Sequence, residues 1–374
     1  MKLLVLLIGG NPIANYALIK FFKDYESKDK NDLFKYDKVV LIYTNQTQEL
    51  SKNIKNLNEN IKFIDINLEN NARDINGIKD KVKNKLLELE NVNSVHLNYT
   101  GGTKPMSVGT FLAIEEFSSS DINKVFSDIS PSNYKLYLKR EEEFPKEGNI
   151  AQSVNVSIKE FCLLHGANIK KLDNKNSEFY NTKFIEYLLN EVKNNKDFIE
   201  FWKKDFKDLK EENWKVKLQF LDLEKISNNK LKKLQKFIKG IFLEEYIFYV
   251  LNGLKDELKF TDLAWNVVIE NKRKKEFELD IVITKGYTIY VISCTTDKRA
   301  YIKQKAFEAS IRAEQIGGIG AKPILISFAD KKITEKTKDE MINYAGKNSF
   351  EILGFEDIKD IDKLKNKIKN IFRV

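Results

Sequence analysis

Over the first 140 positions, uninterrupted apolar runs alternate with segments in which apolar residues recur every three or four. Residues 3–8 (Leu-Leu-Val-Leu-Leu-Ile) contain no polar position, the signature of a strand covered on both faces. Gly9-Gly10-Asn11-Pro12 closes that run, and an apolar-periodic segment follows from Ile13 to Phe22. The unit repeats. Lys38 to Tyr43 ends in Thr44-Asn45-Gln46-Thr47 before a helix, and Ile61 to Ile66 precedes a long helical pattern from about Arg73 to Leu89. Val95 to Tyr99 then alternates, breaks at Thr100-Gly101-Gly102-Thr103-Lys104, and resumes as a helix opened by Pro105. Val125 to Ser130 and Lys135 to Lys139, separated by a short turn around Pro131-Ser132-Asn133, predict an antiparallel edge pair.

Alternating strands and helices predict an open, doubly wound α/β sheet whose ligand site lies beyond the carboxyl ends of the strands. Three loops open on that edge: Gly9-Gly10-Asn11-Pro12, Thr44-Asn45-Gln46 and Thr100 to Lys104. The last is a candidate anion site. Exposed amides at a helix N-terminus attract phosphate, Thr100 and Thr103 add hydroxyls, and Lys104 adds a positive charge. The alternative is a βα turn whose glycines serve packing alone. Candidate ligand residues are therefore Gly9, Gly10, Asn11, Pro12, Thr44, Asn45, Thr100, Gly101, Gly102, Thr103, Lys104 and, in the first helical turn, Met106. Neither the dinucleotide fingerprint nor the P-loop spacing is present, which leaves a nucleotide of another kind.

Residues 140 to about 235 read as a mainly helical connector, with helices at Phe184 to Val192 and from Leu231 to Phe242, and with His165-Gly166 closing another after Ile158 to Leu164. The final third changes character. A helix containing Gly240 to Leu251 precedes strands Trp265–Glu270, Glu276–Thr284 and Thr288–Thr296, the last two joined at Lys285-Gly286-Tyr287. A helix from about Lys303 to Gln315, a turn at Gly317-Gly318 and the strand Pro323–Phe328 follow.

At 374 residues, two domains are the expected organisation. With 42% hydrophobic and 32% charged residues and no apolar run long enough to span a bilayer, the composition is that of a soluble globular protein without a membrane partner. Met1 to Ile8 is too short for a secretory signal and reads as a first strand. Two distant cysteines, Cys162 and Cys294, suit a reducing cytoplasm. With only two histidines, His96 and His165, any metal would be held mainly by carboxylates. A net charge of +9 suits a polyanionic partner, although a codon bias toward Lys, Asn and Ile accounts for it equally.

Candidate chemistry in the final third centres on carboxylates in apolar settings. Strand alternation puts Glu278 and Asp280 on one face and Leu279 and Ile281 on the other, so Asp280 sits within an apolar strand. A carboxylate buried there needs a pair, hydrogen bonds or a metal. Glu244 and Glu245, on a helix otherwise rich in Phe, Ile, Tyr and Leu, form a second such pair. Divalent metal chemistry on phosphodiesters uses oxygen ligands of this kind and usually a lysine. The alternative places Glu244 and Asp280 on half-exposed elements facing solvent.

Gly240 to Tyr246, Glu278-Leu-Asp280, Tyr290 to Asp297 and Lys305-Ala-Phe-Glu308 followed by Gly317-Gly318 resemble the PD-(D/E)xK nuclease fold. The N-terminal region with its Gly-Gly-Thr-Lys turn resembles a CARF domain. In this order the chain resembles the CRISPR ancillary nucleases that carry one domain of each kind. The resemblance implies a Rossmann-like CARF domain (1–145), a helical connector (146–235) and a restriction-endonuclease-like α/β domain (236–374). It also implies a cytoplasmic homodimer that binds a cyclic oligoadenylate, most often cyclic tetra-adenylate, and thereby activates a Mg²⁺- or Mn²⁺-dependent nuclease acting on DNA or RNA in type III antiviral defence.

One departure matters. The family pattern has a carboxylate and a lysine flanking one residue on the second hairpin strand, where this chain has Ser293-Cys294-Thr295. Asp280 and Glu244 would hold the metal, Lys305 or Lys303 on the next helix would supply the charge, and Ser293 and Thr295 would stand behind them. The competing expectation is a ligand-controlled module that binds nucleic acid or protein and no longer cuts.

Overall fold

The computed structural model describes residues 1–26, 35–117, 122–130, 135–138, 142–144, 150–195, 198, 227–299, 301–343, 346 and 350–373. The turn predicted at Pro131 to Asn133 lies outside them. Two sheets organise the chain. The first contains β1 (Lys2–Leu7), β2 (Lys38–Tyr43), β3 (Phe63–Asn67), β4 (Ser94–Asn98), β5 (Asn123–Ile129), β6 (Leu136–Leu138) and β7 (Glu142–Phe144) in the order β3-β2-β1-β4-β5-β6-β7. β1 to β5 pair in parallel, and β6 and β7 close the edge antiparallel. The strand order reverses between β1 and β4, so their carboxyl ends frame the crevice such a fold offers to a ligand.

Helices α1 (Ile13–Glu26), α2 (Gln48–Asn56), α3 (Ile75–Leu87) and α4 (Lys104–Glu116) follow β1 to β4 in turn. Alternate residues of β1 explain the layering: Leu4 and Leu6 join the core with α1, whereas Leu3, Val5 and Leu7 join the core with α3 and α4.

The second sheet has the order β13-β12-β11-β10-β9-β8. Its strands are β8 (Asn168–Asp173), β9 (Asp262–Glu270), β10 (Glu276–Lys285), β11 (Thr288–Thr295), β12 (Lys322–Ser327) and β13 (Glu351–Leu353). The connector is therefore not wholly helical, because β8 within it is an edge strand of this sheet. Its sequence Asn-Ile-Lys-Lys-Leu-Asp spaces its two apolar residues by three, and most of it faces solvent, so period-two alternation is missing. Around it lie α5 (Ile150–Ser153), α6 (Ile158–Leu164), α7 (Thr182–Asn194) and α8 (Asn228–Lys236). A segment kinked at Gly240 (Phe237–Ile241) joins α8 to α9 (Phe242–Gly253). The remaining helices are α10 (Ile302–Gly317), α11 (Lys331–Asn343), α12 (Phe355–Ile358) and α13 (Ile361–Phe372).

Alternation along β10 breaks at Asp280. Leu279 packs into the core shared with the first sheet, whereas Ile281, two residues on, packs into the core under α9. β9 does the same, with Val267 on one side and Trp265 on the other of Asn266, whose φ of 49° is left-handed. Asparagine tolerates that conformation better than most residues. β8 shifts register at Lys171 and again at Asp173. These irregularities re-aim side chains across three strands, the usual use of a bulge beside a site.

The two sheets share one apolar core. Tyr16, Ala17 and Ile19 of α1, Ile158, Phe161 and Cys162 of α6, Val282 of β10, Val291 of β11 and Ile316 of α10 belong to it. α6 is the bridge. Ser157 and Glu160 form a capping box at its start, the Tyr16 hydroxyl donates to Glu160, and Lys20 pairs with Glu160 at 2.8 Å. At its other end Asn53 of α2 donates to the Leu164 carbonyl at 3.2 Å. Phe161 is 1% exposed at the centre of this junction. Phe161→Ala should cost about 3–5 kcal/mol and lower a single calorimetric transition; two separate transitions, with only one shifted, would show that the sheets fold independently.

Candidate functional site

Close approach of backbones builds the strand-end crevice. A Cβ on Gly101 would lie 2.0 Å from the Leu7 carbonyl oxygen, and one on Gly9 would lie 2.9 Å from the Gly102 nitrogen. The first and third candidate loops are therefore in contact, with glycine required where they touch. Asn15 of α1 holds the junction from behind, donating to the Leu7 carbonyl at 2.8 Å while its buried Oδ1 has no partner among the described residues. Its place in an apolar helix was its sole sequence signal.

The predicted hydroxyls are largely committed. Thr103 caps α4, accepting from the Met106 amide and donating to the Ala72 carbonyl, and Thr100 accepts from the Ile129 amide at 2.8 Å. Met106 is 1% exposed in the core, so only its backbone belongs to the loop. Pro12 and Thr44 are buried as well. Asn45 is exposed and tied to the β3 loop through Asn67 and Asn70. Lys104 is exposed, and no carboxylate pairs with it among the described residues. The groups left for a ligand are loop amides, Asn11, Asn45 and Lys104. Beside them Val108, Phe111 and Leu112 leave the solvent face of α4 apolar, at 46%, 40% and 36% exposure.

Asn11 also faces the second sheet. Gly318, with φ of 65°, follows α10, and a Cβ there would meet the Asn11 side chain at 3.1 Å and His165 Nε2 at 3.3 Å. A cavity of about 150 Å³ at this junction is lined by Asn11, Thr100, Phe161, Tyr287, Gly317 and Gly320. The strand-end crevice thus abuts the carboxyl end of α10.

Farther along α10, Lys305, Glu308 and Arg312 line a second cavity of about 220 Å³ with Glu244, Glu278, Asp280 and Ser293. The break in β10 lets α9 and α10, which pack on opposite faces of the sheet, both reach Asp280. Its Oδ2 accepts from the Cys294 amide at 2.6 Å and the Ser293 hydroxyl at 3.2 Å. Burial raises the Asp280 pKa, opposed by those two hydrogen bonds and by Lys305. Burial likewise pushes Glu244 up to about 8, reinforced by the charges of Asp280, Glu278 and Glu245.

Of the predicted catalytic residues, Asp280, Glu244, Ser293 and Lys305 come together. Lys303 instead reaches Glu340 at 2.9 Å, and Thr295 bonds Asp297 rather than Asp280. Arg312, absent from the prediction, lies seven residues beyond Lys305 on the same helical stripe, a spacing that could have revealed it. No group of three His, Cys, Asp or Glu side chains poised for a metal occurs among the described residues. Two half-buried carboxylates crowded together, with no hydrogen bond to the Glu244 side chain among the described residues, nonetheless suit a hard divalent ion that takes one or two carboxylates and keeps its waters.

Residues 3–161, the stretch that holds the first sheet and its helices, match the family described as the Card1 CARF domain. No curated protein matches the chain in sequence. Among solved structures, Can2 from Sulfobacillus thermosulfidooxidans in complex with cyclic tetra-adenylate has a TM-score of 0.74 at 15% identity, covering 100% of both chains. Protein VC1899 from Vibrio cholerae has a TM-score of 0.67 at 14% identity, over 100% of this chain and 98% of the other. A type III CRISPR defence DNA nuclease activated by cyclic oligoadenylate has a TM-score of 0.51 at 13% identity, over 88% of this chain and 46% of the other. These likenesses establish the fold across both sheets. No helix among the described residues is long and apolar enough to cross a membrane.

The loop contact makes its own prediction. Gly101→Ala should lower stability by more than about 2 kcal/mol through a backbone clash, whereas Gly10→Ala, with no atom within 4 Å of its Cβ, should be neutral. Equal thermal midpoints for the two variants would mean that the loops do not meet as described.

Proposed function

We propose that the protein is a cytoplasmic, CRISPR-associated effector in which a cyclic oligoadenylate, cyclic tetra-adenylate by ring size, bound at the strand-end crevice switches on a metal-dependent PD-(D/E)xK nuclease in the second unit. The observation that carries this reading is α10. Asn11 of the ligand loop packs at one end of it, and Lys305 stands in the carboxylate cavity thirteen residues away, about 20 Å along the helix. Can2, similar over the full chain, was solved with that ligand. The exposed apolar face of α4 beside the loops suits a second copy of the chain, which would present a two-fold site to a two-fold ligand.

In the cavity, Asp280 and Glu244 would hold Mg²⁺ or Mn²⁺, which when bound supplies Lewis-acid polarisation of a phosphate and an acidified water. The chain's own groups set the stage. Ser293 and the Cys294 amide fix the Asp280 carboxylate by donating to one oxygen. Lys305 and Arg312 place positive charge where a phosphodiester gains negative charge, the role of the lysine that Thr295 replaces in the family pattern. Ser293 and Thr295 also favour a second reading, a ligand-controlled binding module that has lost cleavage.

Cleavage assays with Mg²⁺ or Mn²⁺, with and without cyclic tetra-adenylate, separate these. Activator-dependent cleavage of DNA or RNA should appear and should be lost in Asp280→Ala; ligand binding without any cleavage would select the binding module. Lys104→Ala should weaken ligand binding at least several-fold and flatten its salt dependence, since a phosphate contact carries both effects. Unchanged calorimetric affinity at moderate salt would remove Lys104 from the site. Lys305→Ala should reduce cleavage more than about tenfold with the melting temperature unchanged; parental rates would assign the charge to Arg312 instead.

A further inference from the structure

A third cavity, of about 410 Å³, lies beside the carboxylate cavity, on α9, the helix that carries Glu244. Its rim carries Lys233 and Lys236, one turn apart on α8, both exposed and without a carboxylate partner among the described residues. Phe237 and Trp265 wall it, and Glu245 lines it. Glu245 is 0% exposed. One of its oxygens accepts from the Ser177 amide at 2.7 Å, while Oε1 is buried with no hydrogen-bond partner among the described residues. Leaving a carboxyl oxygen buried and unmatched is costly unless something arrives to donate to it.

Two local irregularities shape this cavity. The chain kinks at Gly240, whose backbone (φ 174°, ψ −36°) is not helical, and this sets α8 at an angle to α9. On the opposite wall, the left-handed Asn266 separates Trp265 from the rest of its strand face and donates to Asp173 at 2.7 Å. Both lie where β8, β9 and β10 lose regularity.

The three kinds of group fit the phosphate of a nucleotide and the face and edge of its base. Lysines match a phosphate, aromatic walls match a base, and a buried acceptor matches the N–H donors of an adenine, cytosine or guanine edge. A base can enter such a cavity only if it is unpaired. Glu244 and Glu245 are consecutive, their α-carbons about 3.8 Å apart, and each lines a different cavity. We propose that this cavity is a nucleobase subsite for a single-stranded nucleic acid whose neighbouring phosphate lies at Asp280. The inference rests on the nuclease reading for its substrate and on the cavity's own groups for its place.

Trp265 reports on it directly. In a W202F/W214F background Trp265 is the remaining tryptophan, and its emission can be followed while a short single-stranded oligonucleotide, or its duplex, is added with activator and with Ca²⁺ in place of Mg²⁺. The single strand should quench Trp265 saturably and the duplex should not. K233A/K236A should weaken single-strand binding at least about tenfold and lower the salt slope by more than one. Strand binding saturated by anisotropy with Trp265 emission unchanged, equal quenching by duplex, or parental affinity and slope in the double variant would each overturn the subsite. The outcomes also separate the two readings. Quenching by single strand in a protein that never cleaves keeps the subsite and removes the nuclease, and cleavage with a silent Trp265 does the reverse.

Discussion

Burial of α6 between the two sheets is the constraint on which the rest depends. Its inward residues Ile158, Phe161 and Cys162 belong to one core that takes in α1 on one side and β10, β11 and α10 on the other. Interiors are close-packed, so such a core passes on displacement instead of absorbing it. A chain of this length could have been two beads on a linker. Here the polar ties of α6 to Tyr16, Lys20 and Asn53 hold the first sheet in register with the second.

A consequence follows for the carboxylate cavity. Holding Asp280 and Glu244 half-buried and close together is unfavourable for their charged forms, which raises the pKa of both. The sheet break makes the arrangement possible, because a regular strand would give α9 and α10 opposite faces with no shared residue. Such local departures from regularity tend to gather where a structure does chemistry. Lys305, from the helix that ends against Asn11, is the cationic group that offsets the charge of Asp280.

Much of the first sheet was legible because its strands are short apolar runs closed by loop residues, and the Gly101-Gly102 pair marks the one turn where backbones must touch. The edge was less so: β7 and β8 are rich in charged residues and β8 is mostly exposed, which removes the alternation that reveals a strand. Asp280 was recognisable as a carboxylate in an apolar strand, yet its neighbours' faces were misassigned, since alternation assumes the regularity that Asn266 and Asp280 interrupt. Lys305 and Lys303 were inseparable by spacing; only the tertiary position of Glu340 divides them. Asn15 and the cavity beside Glu245 depend on contacts between distant segments, which local pattern does not encode, whereas Arg312 shares a helical stripe with Lys305 and was legible from spacing.

The central claim is that ligand binding at the first sheet is felt along α10. Hydrogen exchange of the α10 amides and of Gly317 to Gly320, measured with and without cyclic tetra-adenylate, tests it most directly. The account predicts altered protection in the strand-end loops and along α10 as far as Lys305. Altered protection confined to the loops, with α10 unchanged at saturating ligand, would contradict it.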